Sequence, residues 1–430
     1  MPSAGAAHAP SPLLTIEPAS ALLDEPVDIR LTGLVPGARV TLTATMTDHL
    51  DRRWQSEATF TADDAGVVDV ATQAPIAGSY DGVEPMGLFW SMTLAVPGGS
   101  SLPFRTLESL VVALAAAAEG RTIAEARVER RLLASGVTDE TVHDDGLAGI
   151  FFRPPGAGPF PVILVLGGSG GGLAGAWEQA ALLASRGYAA LALAYFNYEH
   201  LPPYLHAIPL EYFETALHWL QGRPEVRTDQ MAVLGYSRGG ELALLLGASF
   251  PVLTAVVGYV PSGVVHGSIG VVGGPAWAYR GEPVPYLFPP DAAARHEQVV
   301  RQEPVALAPW YLGNLEDREA VARATIPVER INGPVLLLSA EDDQMWPSPV
   351  LADIASERLA RHDHPYPVRH RRYAGAGHIF ALPNLTMPVR GHHPVRGTTV
   401  ALGGTVAANA RAAAEAWAEV LLFLDSWRRP

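Results

Sequence analysis

The stretch GYSRGG, Gly235–Gly240, decides the fold of this 430-residue chain. It follows MAVL, a short apolar run of strand character, and precedes ELALLLGA, an apolar run of helical character. A Gly-x-Ser-x-Gly motif between a strand and a helix forms a sharp turn that presents the serine hydroxyl at the end of a sheet. Only glycine leaves room in so tight a turn at Gly235 and Gly239. The pattern predicts Ser237 as a catalytic nucleophile; the alternative is a glycine-rich structural turn.

A serine in such a turn needs an acid and then a histidine later in the chain. The run PVLLLSAEDDQMWP reads as a buried strand that leads directly into two aspartates, at the sheet edge where open α/β sheets place their sites. We predict Asp343 as the acid, with Asp342 as the alternative, because the usual loop has a proline four residues after the acid, here Pro347. In YAGAGHIF, His378 follows another strand-like run and is the predicted general base.

The remaining histidines near this part of the chain lie in polar or proline-rich stretches. We expect them to be surface residues: His362, His364, His370, His392 and His393.

The run PVILVLGGSGGGLAG reads as an apolar strand that ends in a series of glycines. A dinucleotide fingerprint is one interpretation, but its second strand should end in an acidic residue, and here YAALALAYFNY ends in aromatics and Asn197. An oxyanion loop explains the glycines better, since its backbone must pass close to the acyl carbonyl. The predicted N–H donors are those of Ser169, or a neighbour, and Arg238. The predicted substrate pocket comprises Gly168, Gly170, Tyr236, Trp277 and Trp346.

Two domains are predicted from the rhythm of the sequence. Residues 1–135 contain short alternating runs separated by Pro, Gly and Asp turns, which is typical of an antiparallel β-sandwich. Two alanine-rich runs near the end of this part, SLVVALAAAAEG and IAEARVERRLLA, are assigned to strands and a connection despite their helix-like composition. From 136 to 430 strands alternate with helices, so we predict an α/β-hydrolase domain with a mostly parallel sheet.

Residues 262–330 interrupt that alternation and form a predicted cap-like insertion. They carry six aromatic residues, and these either line an acyl pocket or form a satellite core. The six are Trp277, Tyr279, Tyr286, Phe288, Trp310 and Tyr311.

Composition narrows the function classes. With 48% hydrophobic and 17% charged residues the chain can bury a sizeable core, and its net charge of −14 argues against nucleic acid as a partner. There are no cysteines, so thiolate metal sites are excluded; no metal or other cofactor is expected. No apolar stretch reaches the roughly 18 residues that span a bilayer, and no signal sequence is recognised, so a cytoplasmic protein is expected. Arginine supplies all 30 basic residues, which indicates a GC-rich, bacterial genome. The oligomeric state stays open.

The motifs together resemble one family, the acyl-CoA thioesterases and bile acid-CoA:amino acid N-acyltransferases, over nearly the whole chain. In the first domain the resemblance rests on GSYDGVEPMGLFW, residues 78–90. In the second domain the matching segments follow in the family's order: ALAYFNYEHLP, LEYFETAL, GYSRGGELAL, IPVERI, EDDQMWPS and YAGAGH. The resemblance implies an Ig-like N-terminal domain, an α/β-hydrolase domain, and a triad of Ser237, His378 and Asp343.

The same resemblance implies cleavage of an acyl thioester through an acyl-enzyme. The amino-acid transferases that resemble this chain carry cysteine as nucleophile, and the serine here favours water as the acceptor. The alternatives are a carboxylesterase, a dienelactone-type hydrolase or an acyltransferase to an amine or alcohol on the same triad, and a non-catalytic acyl-binding protein. If coenzyme A is the carrier, its phosphates need basic partners. RHRRY, Arg369–Tyr373, is the nearest candidate, and a solvated edge strand is the alternative.

Overall fold

The computed structural model describes residues 11–95, 107–271, 273–289, 292–301 and 303–429. The chain divides into two compact units. The first comprises Met1–Leu132 with Asn384–Met387, and the second comprises Leu133–Pro383 with Pro388–Pro430.

The first unit is an antiparallel β-sandwich whose alternation of apolar and polar residues produces strands with one buried face. Its described strands, in chain order β1 to β10, are Leu13–Glu17, Ser20–Leu22, Asp28–Thr32, Arg39–Thr47, Arg53–Thr61, Val68–Asp69, Ala77–Gly78, Thr93–Leu94, Leu110–Ala118 and Arg121–Arg131. They form two sheets, one of β1, β3 and β6 and one of the others; only the β2–β10 pair is parallel among the described pairs. One short helix, α1, spans Gly87–Trp90. The two alanine-rich runs, assigned from the sequence to strands and a connection, form the strands β9 and β10, which pair as one long hairpin.

The second unit is an α/β-hydrolase fold. Its described strands β11 to β23 are Thr138–Val142, Gly149–Arg153, Phe160–Leu166, Ala189–Leu193, Ile208–Pro209, Val226–Tyr236, Leu253–Tyr259, Trp277–Tyr279, Glu282–Pro283, Val335–Ala340, Val368–Tyr373, Arg390–His393 and Thr398–Ala401. Its described α-helices α2 to α9 are Ala176–Ser185, Leu210–Gln221, Arg238–Ser249, Ala292–Val299, Ala308–Asn314, Arg318–Ala324, Ser348–Arg361 and Val406–Trp427. Short 3-10 turns lie at Asp144–Gly146 and Val328–Arg330.

The main sheet has the order β11-β12-β14-β13-β16-β17-β20-β21 across the described residues. The first two strand pairs are antiparallel, and all pairs from β14 to β21 are parallel. Strands β14 and β20 are buried along their whole length, as expected for parallel strands covered on both faces. The carboxyl ends of the parallel strands therefore meet at one edge. No helix in the described part of the chain combines the length and apolar character needed to cross a membrane.

Most aromatic residues of the 262–330 segment belong to hydrophobic cores. Trp277 is completely buried in the main core, and Tyr279 and Tyr286 pack against that core. Trp310 and Tyr311 belong to a smaller cluster that also contains Trp346. The satellite-core interpretation therefore describes Trp310 and Tyr311, whereas Trp277, Tyr279 and Tyr286 extend the main core. Phe288, the sixth, is half-buried.

A buried polar network joins α4 to the 262–330 segment. Glu241 is completely buried and pairs with Arg238 one turn earlier, at 3.2 Å between Nη2 and Oε1. Its other oxygen, Oε2, accepts from the backbone N–H of His266 at 3.2 Å and lies 3.0 Å from Nδ1 of that ring. Trp277 Nε1 donates to Glu241 Oε1 at 2.9 Å, and Arg238 Nη2 donates to the His266 carbonyl at 2.9 Å. One carboxylate thus fixes both the start of α4 and two points of the segment.

The first prediction concerns this carboxylate. Glu241→Ala should lower the free energy of unfolding by about 3–5 kcal/mol, because it leaves the buried Arg238 cation without its counter-charge. Denaturant-induced unfolding of the second unit measures the loss. Glu319→Ala is the matched control: Glu319 also pairs with an arginine on its own helix, but its side chain is 87% exposed, so the expected loss is below about 0.5 kcal/mol. Equal losses for the two variants would contradict the account of the network.

Candidate active site

Ser237 occupies a strained turn between strand β16 and helix α4. Its φ angle is +57°, a conformation that serine rarely adopts. A Cβ added to Gly235 would lie 1.9 Å from the carbonyl oxygen of Gly239, and one added to Gly239 would lie 2.3 Å from that of Gly167. Both glycines are therefore required by backbone contacts. The turn leaves the Ser237 side chain at the carboxyl edge of the sheet, where strain of this kind is characteristic of functional sites.

A chain of hydrogen bonds connects Ser237 to the predicted base and acid. His378 Nε2 lies 2.9 Å from Ser237 Oγ. On the other side of the ring, His378 Nδ1 lies 2.8 Å from Asp343 Oδ2 and 3.0 Å from Oδ1. All three residues are buried. This arrangement can remove a proton from the serine hydroxyl while the carboxylate holds the imidazole in orientation.

The structure distinguishes the two aspartates after β20. Asp343 Oδ1 also accepts from the backbone N–H groups of Met345 and Trp346, at 3.0 and 3.2 Å, so its carboxylate is fixed. Asp342 points elsewhere: it is exposed, and its Oδ2 accepts from the N–H of Gly404 at 2.8 Å. Asp342, the alternative acid, thus stabilises the loop that contains Gly404 and does not contact His378.

The backbone around His378 is held from several sides. Its N–H donates to the Leu402 carbonyl at 2.7 Å, and the N–H of Gly377 donates to Asn409 Oδ1 at 2.7 Å. The Tyr236 hydroxyl donates to the His378 carbonyl and accepts from the N–H of Phe380 at 3.0 Å. Burial raises the pKa of Tyr236, so the hydroxyl remains protonated and able to donate. Tyr236, predicted as a pocket residue, therefore anchors the histidine loop.

Of the other predicted pocket residues, Trp346 lies beside His378, with ring centroids 6.2 Å apart in an edge arrangement. Its Nε1 donates to the Val260 carbonyl at 3.0 Å. Trp277 lies in the core with its indole nitrogen bonded to Glu241, and none of its described ring contacts is with the triad.

The glycine-rich loop after β13 lies directly against the nucleophile. A Cβ added to Gly168 would lie 3.2 Å from Ser237 Cβ. The loop is held by the Tyr195 hydroxyl, which donates to the Gly167 carbonyl at 2.6 Å, and by an amide, Asn197 Nδ2, which donates to the Gly170 carbonyl at 2.9 Å. Within the described part of the chain, no other residue accepts from the backbone N–H of Ser169. The same is true of the N–H of Arg238.

The surface prediction for the five histidines was wrong for His393. Its ring is buried, and its Nε2 lies 2.9 Å from Ser169 Oγ in the glycine-rich loop. The cause is the β22–β23 hairpin. This polar, proline-containing stretch folds against the glycine-rich loop and buries the His393 ring there. His364 and His370 are half-buried, and His362 and His392 are exposed.

RHRRY forms most of β21, an edge strand of the main sheet, so the edge-strand interpretation describes it. Arg371 and Arg369 reach Glu419 at 3.0 and 3.8 Å, and Arg372 pairs with Asp353. These arginines already have carboxylate partners on neighbouring helices. No group of three or more potential metal ligands was found among the residues that the structure describes.

Three contributors to the site were not predicted from the sequence: His393, Glu241 and Asn409. Glu241 lies four residues after Ser237 and directly before the apolar run Leu242–Ala248, and a charge at such a position was an available signal. His393 and Asn409 carry no local signal, because their roles depend on segments that meet only in the folded chain.

Residues 208–427 match the family model described as BAAT / Acyl-CoA thioester hydrolase C terminal. Residues 24–144 match the model described as Acyl-CoA thioester hydrolase/BAAT N-terminal region.

Several mammalian proteins are similar over most of this chain. The mitochondrial acyl-coenzyme A thioesterase 2 of Rattus norvegicus is 34% identical over 392 residues, which cover 88% of this chain and 82% of the relative. Acyl-coenzyme A thioesterase 1 of Homo sapiens is 36% identical over 356 residues, 81% of each chain. Acyl-coenzyme A amino acid N-acyltransferase 1 of Mus musculus is 32% identical over 379 residues, 86% of each chain. With both of its regions matched and these identities, the chain belongs to the acyl-CoA thioester hydrolase/BAAT family.

Proposed function

We propose that this protein is a serine hydrolase that cleaves an acyl thioester, with acyl-coenzyme A as the substrate, to a free acid and a thiol. The observation that carries the proposal is the hydrogen-bond chain from Ser237 Oγ through His378 to Asp343, at 2.9 and 2.8 Å. Family membership supports the thioester as the bond that is cleaved, because both matching family models are described as regions of acyl-CoA thioester hydrolases. No cofactor enters the proposed mechanism.

In the acylation step, His378 Nε2 takes the proton of Ser237 as Oγ attacks the thioester carbonyl. The carbonyl π electrons move to the oxygen, and the backbone N–H groups of Ser169 and Arg238 stabilise the oxyanion. Removal of one such donor typically costs about 3 kcal/mol of transition-state stabilisation. Collapse of the tetrahedral species expels the thiolate, which leaves as the thiol after His378 returns the proton.

In the deacylation step, His378 removes a proton from water, and the resulting hydroxide attacks the acyl-enzyme. Ser237 is released when the second tetrahedral species collapses and His378 returns the proton. Asp343 orients the ring throughout and stabilises its charged form. Serine at this position, in place of the cysteine of the amino-acid transferases that resemble this chain, supports water as the acceptor.

The second prediction tests the reaction itself. Free-thiol release should be observed with a panel of acyl-coenzyme A substrates and should depend on acyl chain length. Ser237→Ala should lower the rate by at least about 10³-fold while the protein keeps its melting temperature, because the nucleophile is lost and the fold is not. Parallel assays with p-nitrophenyl esters separate the alternatives. Ester cleavage without thiol release would favour a carboxylesterase, and a fully active Ser237→Ala enzyme would falsify the nucleophile assignment.

The third prediction uses the two adjacent aspartates as a matched pair. Asp343→Asn should lower kcat by about 10³–10⁴-fold, because an amide facing His378 Nδ1 favours the wrong tautomer of the imidazole. Asp342→Asn should change kcat by less than about tenfold, since its amide oxygen can still accept from Gly404. Steady-state kinetics of both variants decide the assignment. A larger loss for Asp342→Asn would transfer the role of the acid to that residue.

Acyl transfer to an amine is the second candidate function. It is favoured by one observation, the 32% identity to a relative named an amino acid N-acyltransferase. The fourth prediction is that addition of a free amino acid such as glycine leaves free acid as the main product, because the nucleophile is serine. Chromatographic separation of the acid and the amide measures the ratio. Amide formed at the expense of the acid would establish a transferase.

The bacterial origin and the cytoplasmic location remain predictions from the sequence, as does the exclusion of nucleic acid as a partner.

A further inference from the structure

The β22–β23 hairpin brings a second histidine to the active site. His393, the last residue of β22, has its Nε2 at 2.9 Å from Ser169 Oγ. A Cβ on Gly170 would lie 3.4 Å from the ring of Pro394, so the turn of the hairpin lies close to the glycine-rich loop. Leu402 directly follows β23, and its carbonyl oxygen accepts a hydrogen bond from the N–H of His378. This part of the chain therefore contacts both His378, the proposed base, and the glycine-rich loop.

The hydrogen bonds of His393 determine where its proton lies. The backbone N–H of Arg396 donates to His393 Nδ1 at 3.2 Å, so Nδ1 is an acceptor and carries no proton. Burial, with added repulsion from Arg396 and His378, lowers the pKa of His393 to about 3, so the ring is neutral at physiological pH. A neutral imidazole with an unprotonated Nδ1 carries its proton on Nε2. Nε2–H therefore donates to Ser169 Oγ.

This assignment leaves the hydroxyl proton of Ser169 available. Its oxygen accepts from His393, and the hydroxyl has no acceptor among the residues that the structure describes. Ser169 follows Gly168, the residue that lies against Ser237 Cβ, and it is only 9% exposed. A buried hydroxyl donor with no acceptor among the described residues is available for a bond to a bound group.

We propose that the Ser169 side-chain hydroxyl is a catalytic hydrogen-bond donor to the oxyanion, and that His393 is the positioning residue that aims it. The hydroxyl acts in addition to the backbone N–H groups of Ser169 and Arg238. Such a donor is effective because it is already oriented before charge develops on the substrate oxygen. His393 contributes only through Ser169; it neither transfers a proton nor contacts the substrate.

Four single variants and one double variant test this inference, which rests on the proposed function. Ser169→Ala removes the hydroxyl and keeps the backbone N–H. His393→Leu removes the bond to Ser169, while His393→Gln keeps an N–H donor near the position of Nε2. His392→Leu is the matched control, because His392 is the preceding residue of the same strand and its side chain is exposed. Each variant is measured for kcat and KM, for melting temperature, and for inhibition by a trifluoromethyl ketone analogue of the acyl thioester.

The ketone forms a tetrahedral oxyanion on a serine nucleophile, so its inhibition constant reports on the oxyanion site. Ser169→Ala should lower kcat about 100-fold and weaken the ketone by a similar factor, with KM changed by less than about threefold. His393→Leu should lower kcat about tenfold, and His393→Gln should stay within about threefold of the wild type. The Ser169→Ala/His393→Leu double variant should be no worse than Ser169→Ala, because His393 acts only through that hydroxyl.

The inference is overturned if Ser169→Ala binds the ketone as tightly as the wild type does. It is also overturned if His393→Leu costs as much in the Ser169→Ala background as alone, or if the loss of activity only follows a loss of melting temperature. Failure of the proposed function is a separate outcome: the wild type would release no thiol. In that case ketone affinity and ester cleavage still report on the oxyanion site and decide the inference.

Discussion

The close backbone contact between the serine turn and the glycine-rich loop is the constraint on which the site depends. Gly235 packs against Gly239, Gly239 packs against Gly167, and Gly168 packs against Ser237. No side chain larger than hydrogen fits at Gly235 or Gly239. This contact brings the ends of β13 and β16 together and holds Ser237 at a positive φ angle. The proposed nucleophile and the proposed N–H donors are therefore oriented by the fold before any substrate binds, as effective oxyanion stabilisation requires.

The base and the acid depend on a second set of contacts, which comes from the C-terminal part of the chain. The backbone N–H of His378 donates a hydrogen bond to the Leu402 carbonyl. The Asp342 carboxylate accepts one from the N–H of Gly404, two residues further along the chain. The same region contains the hairpin that places His393 against Ser169. The acid loop, the histidine loop and the hairpin thus support one another, and a change in any one of them should affect the alignment of His378 with Ser237.

Much of the site follows from the sequence because its signals are local. A strand–turn–helix pattern predicts Ser237 as the nucleophile, a strand that ends in two aspartates predicts the acid, and the order of the triad along the chain then favours His378 among 14 histidines. The strands β9 and β10 were also predicted despite their alanine content, although their pairing as a hairpin was not. His393 was expected at the surface because its neighbours are polar, and Trp277 was expected in the pocket because it is aromatic. Their burial depends on contacts with distant segments, Ser169 for one and Glu241 for the other, which no local pattern reports.

Labelling of the active site shows directly whether acyl transfer passes through Ser237. The enzyme is titrated with a fluorophosphonate, and the modified peptide is identified by mass spectrometry while thiol release is followed on the same samples. We expect a single adduct on Ser237 and a loss of thioester hydrolysis in proportion to labelling. A fully labelled enzyme that still releases thiol, or an adduct on another residue that accounts for the lost activity, would contradict it.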